Sequence, residues 1–121
     1  MALEIKQLEH TLIARLDKDS IDASSLEQIL KAYQNSDYAN IILDFSSHST
    51  LGNLSITFLN QLDILAKFDD GLLIAILKND VTKDFQKEIP DVVLLGTEHE
   101  AVEAIMMHEL EKQFKAEIGE I

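Results

Sequence analysis

The chain has no cysteine and no tryptophan, one proline, four glycines and one arginine among its 121 residues. Without cysteine there is no disulfide framework, no thiolate metal site and no thiol nucleophile. That absence fits a reducing compartment. Long apolar runs are missing too. The longest, residues 72–77, is far short of the ~20 residues that cross a bilayer as a helix. The start, Met1-Ala2-Leu3-Glu4-Ile5-Lys6, lacks the apolar segment of a signal peptide, so a soluble cytoplasmic protein is expected. Basic residues are scarce: 10 Lys and Arg against 22 Asp and Glu give a net charge of −12. Such a surface repels nucleic-acid phosphates and anionic membranes. It aids solubility and attracts a protein partner with a basic patch.

What is present is ordinary globular patterning, with 46% hydrophobic and 26% charged residues. The length suits one domain spanning residues 1–121. Residues 4–8 and 12–16 read as two short strands. Glu9-His10 between them is a poor hairpin turn by composition. Ser24-Ser25-Leu26-Glu27 is a capping-box pattern that opens a helix to about Ser36, with Leu26, Ile29, Leu30 and Tyr33 on one face. Residues 41–44 form an apolar strand of the kind buried on both faces. Leu54, Phe58, Leu59, Leu62 and Leu65 keep helical spacing from Asn53 to near Phe68. Asp69-Asp70-Gly71 is turn chemistry, followed by a second apolar strand.

Asn79 or Asp80 can cap a short helix to Glu88, stopped by Pro90. Residues 92–95 read as the last strand. Thr97-Glu98-His99-Glu100 is a second capping box, opening a long helix through Val102, Ile105, Met106, Leu110 and Phe114 to Ile118. The alternation predicts an α/β fold: a mixed, mostly parallel sheet of four to five strands packed with about four helices. The last helix is longer than so small a sheet needs. Its distal part, with Phe114, Ile118 and Ile121, is expected to pack on another chain as a possible homodimer.

Candidate chemistry is sparse. Asp44, His48 and the neighbouring serines bring triad residue types together, but the G-x-S-x-G elbow is missing and His48 reads as a loop residue. His99 and Glu103 are i, i+4 neighbours able to face one ion. A solvated acidic helix face explains them better. Of Met106 and Met107, one is expected to continue the core stripe rather than form an adaptable binding surface. No phosphate-binding glycine loop occurs. The residues argue for no enzyme, no metal and no cofactor.

The most informative stretch is 41–55, where an apolar strand ends at Asp44, a polar loop follows, and Gly52-Asn53 opens a helix. Helix starts favour negative charge. Asn53 is also a strong helix cap. Together with Ser20-Ile21-Asp22-Ala23 and Asp44-Phe45-Ser46, this stretch resembles the STAS domain, the fold of bacterial anti-sigma factor antagonists, over essentially the whole chain. Family members carry G-x-L-D-A in the first loop, D-L-S after the central strand and D-S-[ST]-G at the helix start. Asp22-Ala23 and Asp44-Phe45-Ser46 fit the first two, with Asp19 where the first glycine falls. In the third, Gly52 stands for the Asp, Asn53 for the phosphorylated Ser, Leu54 for the next hydroxyl residue and Ser55 for the closing Gly.

The resemblance implies a non-enzymatic module that binds an anti-sigma factor, itself a GHKL-type serine kinase, in a partner-switching pathway of transcription regulation. It implies a contact surface at Asp22, Asp44, Ser46, Gly52, Asn53 and Ser55. Asp22 and Asp44 would shape the loops or meet basic partner residues. Phosphorylation at Asn53 is ruled out by its side chain. Ser55 and Thr57 are the nearest substitutes, with Ser46, Ser47, Ser49 and Thr50 in the loop. The alternative within the fold is an accessory subunit of a transporter, or a small-ligand or lipid-binding STAS module.

Overall fold

The computed structural model describes residues 3–8, 10–16, 23–34, 39–46, 53–68, 70–77, 87 and 92–117, with the backbone alone at 3, 23, 53–55, 116 and 117. The elements follow as β1 (Leu3–Leu8), β2 (Thr11–Leu16), α1 (Ala23–Gln34), β3 (Asn40–Asp44), α2 (Asn53–Phe68), β4 (Leu73–Ile76), β5 (Val93–Leu95) and α3 (Glu98–Glu117). One sheet holds all five strands in the order β1-β2-β3-β4-β5. β1 runs antiparallel to β2, and every other pairing is parallel. Of the expected helix over 79–88 only Lys87 is described, in a turn, and the described residues contain three helices.

Alternation along the strands separates two cores. Leu12, Ala14 and Leu16 of β2, Ile41 and Leu43 of β3, and Leu73 and Ala75 of β4 face one side. There they meet Leu26, Ile29 and Tyr33 of α1 and Phe58, Leu59 and Leu62 of α2. Ile13, Ile42, Ile74 and Ile76 face the other side and meet Ala101 and Ile105 of α3. The central strands are therefore apolar at every turn of the pleat, as a sheet covered on both faces requires.

Helix ends follow local chemistry. α1 starts at Ala23, so Ser24 lies in its first turn rather than ahead of it, a correction to the capping-box placement. At α3 the Thr97 cap forms: the Glu100 amide donates to Thr97 Oγ1 at 3.1 Å, and that hydroxyl donates to Glu100 Oε1 at 3.1 Å. α2 ends in a Schellman turn, with Asp70 N–H donating to Lys67 O (3.1 Å) and Gly71 N–H to Ala66 O (2.7 Å). Asp70 takes the left-handed position at φ 60°. Gly71 follows because a Cβ there would overlap the carbonyl of Ala39.

The β1–β2 hairpin is tight despite its composition, with Leu8 paired to Thr11. His10 takes the left-handed φ of 59° that such turns demand. Its carbonyl accepts from the Asn40 amide (3.1 Å) and from Asn40 Nδ2 (3.2 Å). The turn is thus fixed by the start of β3, a contact distant in sequence.

The final helix departs from expectation. Met106 and Met107 are both exposed, at 59% and 64%, and neither belongs to the core. Leu110 and Phe114 are exposed as well. α3 seats itself through Ala101 and Ile105, with Val102 and Ala104 partly buried beside them. Farther along, His108 Nε2 lies 2.9 Å from Asp70 O and Lys112 Nζ donates to the same carbonyl at 3.0 Å. Polar anchors replace apolar ones there, which turns the apolar stripe outward. Ile118 and Ile121 lie outside the described residues.

Candidate functional site

Parallel pairing of β2 and β3 brings their carboxyl ends to one edge of the sheet. The chain returns from that edge into α1 at Ala23 and into α2 at Asn53. In open α/β sheets this edge, beyond the strand ends and beside helix N-termini, is where binding residues gather.

Asp44 is the last residue of β3 and sits directly across from Arg15 in the β2–β3 register. Its side chain is almost fully buried, whereas that of Arg15 is half exposed. Arg15 Nε donates to Asp44 Oδ2 at 3.3 Å. The other oxygen, Oδ1, accepts the Ser46 amide at 2.9 Å. This second bond closes an Asx turn, which bends the chain as it leaves the strand. Asp44 therefore shapes the loop, and the single arginine covers it from solvent. Arg15 is a site residue that reading along the sequence missed, because strand register alone makes the two neighbours.

Of the remaining expected site residues, Ser46 is half-buried in the turn that Asp44 makes. Asn53 and Ser55 occupy the first turn of α2, with their side chains outside the description. Thr57 is exposed on the same helix. Asp22, Gly52, Ser47, His48, Ser49 and Thr50 lie outside the described residues. His99 and Glu103 pair with each other at 2.8 Å on an exposed face. Among the described residues, no group of three metal-ligating side chains converges, and no helix is long and apolar enough to cross a membrane.

A polar cluster at the opposite edge was also missed. Asn40 is wholly buried. Its Nδ2 donates to His10 O and to Glu109 Oε2, both at 3.2 Å, and its Oδ1 accepts the Leu72 amide at 2.9 Å. One side chain thereby ties the hairpin turn, the approach to β4 and α3 together. Burial raises the Glu109 carboxyl pKa, but hydrogen bonds from Lys112 and Asn40 and the Lys112 and His10 charges outweigh it. The net effect is a carboxyl below its ordinary value. The only sequence signal for Asn40 was a polar residue bordering an apolar run.

No family model and no curated protein matches the chain. Solved structures do. A variant of RsbS from Moorella thermoacetica superposes with a TM-score of 0.69 at 12% identity, covering 86% of this chain and 94% of that one. An anti-sigma factor antagonist of Thermotoga maritima, TM1081, gives 0.70 at 16% identity over 86% and 94%. The anti-sigma factor antagonist SpoIIAA in its unphosphorylated form gives 0.65 at 19% identity over 87% and 96%. The chain has the mixed α/β fold of these anti-sigma factor antagonists, the STAS fold that its sequence motifs resemble.

Proposed function

We propose that the chain is a non-enzymatic protein-interaction module of the anti-sigma factor antagonist kind, engaging its partner at the edge where β3 ends and α2 begins. The partner is an anti-sigma factor of the GHKL kinase type that presents basic residues. The net charge of −12 supports attraction to such a surface. Asp22, Ser46, Gly52, Asn53 and Ser55 form the contact, and Asp44 with Arg15 holds the loop that presents it.

The observation that carries the reading is the start of α2 at Asn53, shortly after the turn built on Asp44. In the family that the sequence resembles, a phosphorylated serine heads this helix. A phosphoserine brings roughly −1.5 to −2 charges to an interface and disrupts it where no cation answers. An amide accepts no phosphate, so Asn53 keeps the module in its uncharged, binding-competent form. The test is to incubate the pure protein with the cognate kinase and ATP and to measure its intact mass. An unchanged mass is expected. Stoichiometric phosphate on Ser55 or Thr57 would overturn the locked state.

A further inference from the structure

We propose that the hollow between the flank of α3 and the β1–β2 end of the sheet is a binding site for a small amphipathic cation, an ammonium head on an apolar body. α3 packs over β3, β4 and β5. Beside it, toward the β1–β2 end of the same face, lies a cavity of about 510 Å³. Pockets that hold one small organic molecule span roughly 300–1,000 Å³. Leu8 and Ile42 line the sheet side, and Val102 and Ile105 the helix side. At about 100° per residue, positions 102, 105, 109 and 113 share one arc of α3, next to the Ala101 arc that seats the helix. α3 is held along its length. Lys6 of β1 pairs with Glu98 at 3.1 Å, Ala101 and Ile105 sit in the core, and Glu109 bonds Asn40. These contacts brace the walls of the hollow.

The polar end of the hollow selects the ligand. Glu109, Gln113 and His10 line it there. Glu109 Oε2 accepts from Asn40 Nδ2 at 3.2 Å and pairs with Lys112 Nζ at 2.9 Å. Among the described residues nothing bonds the other oxygen, Oε1. One carboxylate oxygen of a residue lining a mostly apolar cavity is thus open to a donor. Burial raises the Glu109 pKa, but the bonds from Lys112 and Asn40 outweigh it, so the carboxyl stays charged at neutral pH. An ammonium group answers a charged acceptor with a spare oxygen. An anionic head would meet Glu109 at close range, inside the field of a chain of charge −12. Lys112, which could answer an anion, is committed to Glu109 and to the Asp70 carbonyl. The hollow lies beside the start of β2, at the opposite edge of the sheet from the turn at Asp44, so it is separate from the proposed partner contact.

The test is isothermal titration calorimetry on the intact chain with phenylbutylamine, phenylbutanoate and phenylbutanol, which share a body and differ in the head. Ethylamine, a head without the body, controls for diffuse attraction to an acidic surface. Saturable binding of one phenylbutylamine per chain is expected, at least ~10-fold tighter than phenylbutanoate. Val102→Phe and Leu8→Trp fill the hollow from a partly buried and a half-exposed position. Each is expected to abolish binding while melting as the wild type does. Glu109→Gln is expected to lower the affinity for phenylbutylamine to that for phenylbutanol. No saturable binding of phenylbutylamine by the wild type would overturn the proposal. So would equal binding of phenylbutanoate or ethylamine, undiminished binding by a folded filled variant, or a Glu109→Gln chain that keeps the full preference for the amine.

Discussion

Asp44→Ala tests whether the turn after β3 is built on that carboxylate. The substitution removes the acceptor of the Ser46 amide and the partner of Arg15, from a side chain almost fully buried at a strand end. A charge-assisted hydrogen bond of this kind contributes roughly 1.5–3 kcal/mol. The half-exposed Arg15 pair adds at most about 1 kcal/mol. The expected loss is therefore about 2–3 kcal/mol. In urea, with a slope of about 2 kcal/mol per molar, the midpoint falls by roughly 1–1.5 M. Asp44→Asn keeps an oxygen for the Ser46 amide and is expected to cost only about 1 kcal/mol. Arg15→Ala is expected to cost less than either, because its side chain is half exposed and the Asp44–Ser46 bond remains. Equilibrium unfolding of the three variants at one pH checks the order. If Asp44→Ala stays within about 0.5 kcal/mol of wild type, the anchoring role is wrong. If Asn proves as costly as Ala, charge rather than the Ser46 bond is what matters at Asp44.

Gly71→Ala is expected to destabilise by at least ~2 kcal/mol, because its Cβ meets the backbone carbonyl of Ala39 rather than a side chain that can swing away; thermal melting reads this directly. Asn40→Asp keeps the shape but loses both donors and sets a second carboxylate against Glu109. It is expected to cost about 3 kcal/mol or more at neutral pH and less in acid, where the pair shares a proton, as urea midpoints across pH will show. Glu109 has a folded pKa below its unfolded one. Its contribution is therefore full above about pH 4.5 and is lost as pH falls through the lower folded value. Glu109→Gln should flatten that acid limb of the stability profile, and an unchanged limb would contradict the assignment.

The strands and helices were legible because each central strand is continuously apolar and α1 keeps one apolar face. Thr97 and Glu100 were legible as a cap because their bonds span three residues. The orientation of α3 was not. Its inward side is marked by small Ala101 and Ala104 and then by His108 and Lys112, which bind the Asp70 carbonyl. The larger Met106, Leu110 and Phe114 dominate the hydrophobic pattern yet face outward. Contacts distant in sequence were equally hidden. Arg15 reaches Asp44 only through the β2–β3 register, and Asn40 reaches the hairpin turn and α3 only in the folded chain. The candidate edge itself was legible, since an apolar strand ending in Asp44 before a helix start at Asn53 is a local pattern.

The central claim is that the edge headed by Asn53 binds a partner only while it is uncharged. Quantitative affinity capture from the source cells, run side by side with wild type and Asn53→Glu, tests it most directly. The wild type is expected to recover a GHKL-type kinase protein, and the charged variant at least about tenfold less of it. Equal recovery by both, or recovery of no such kinase by the wild type, would contradict the account.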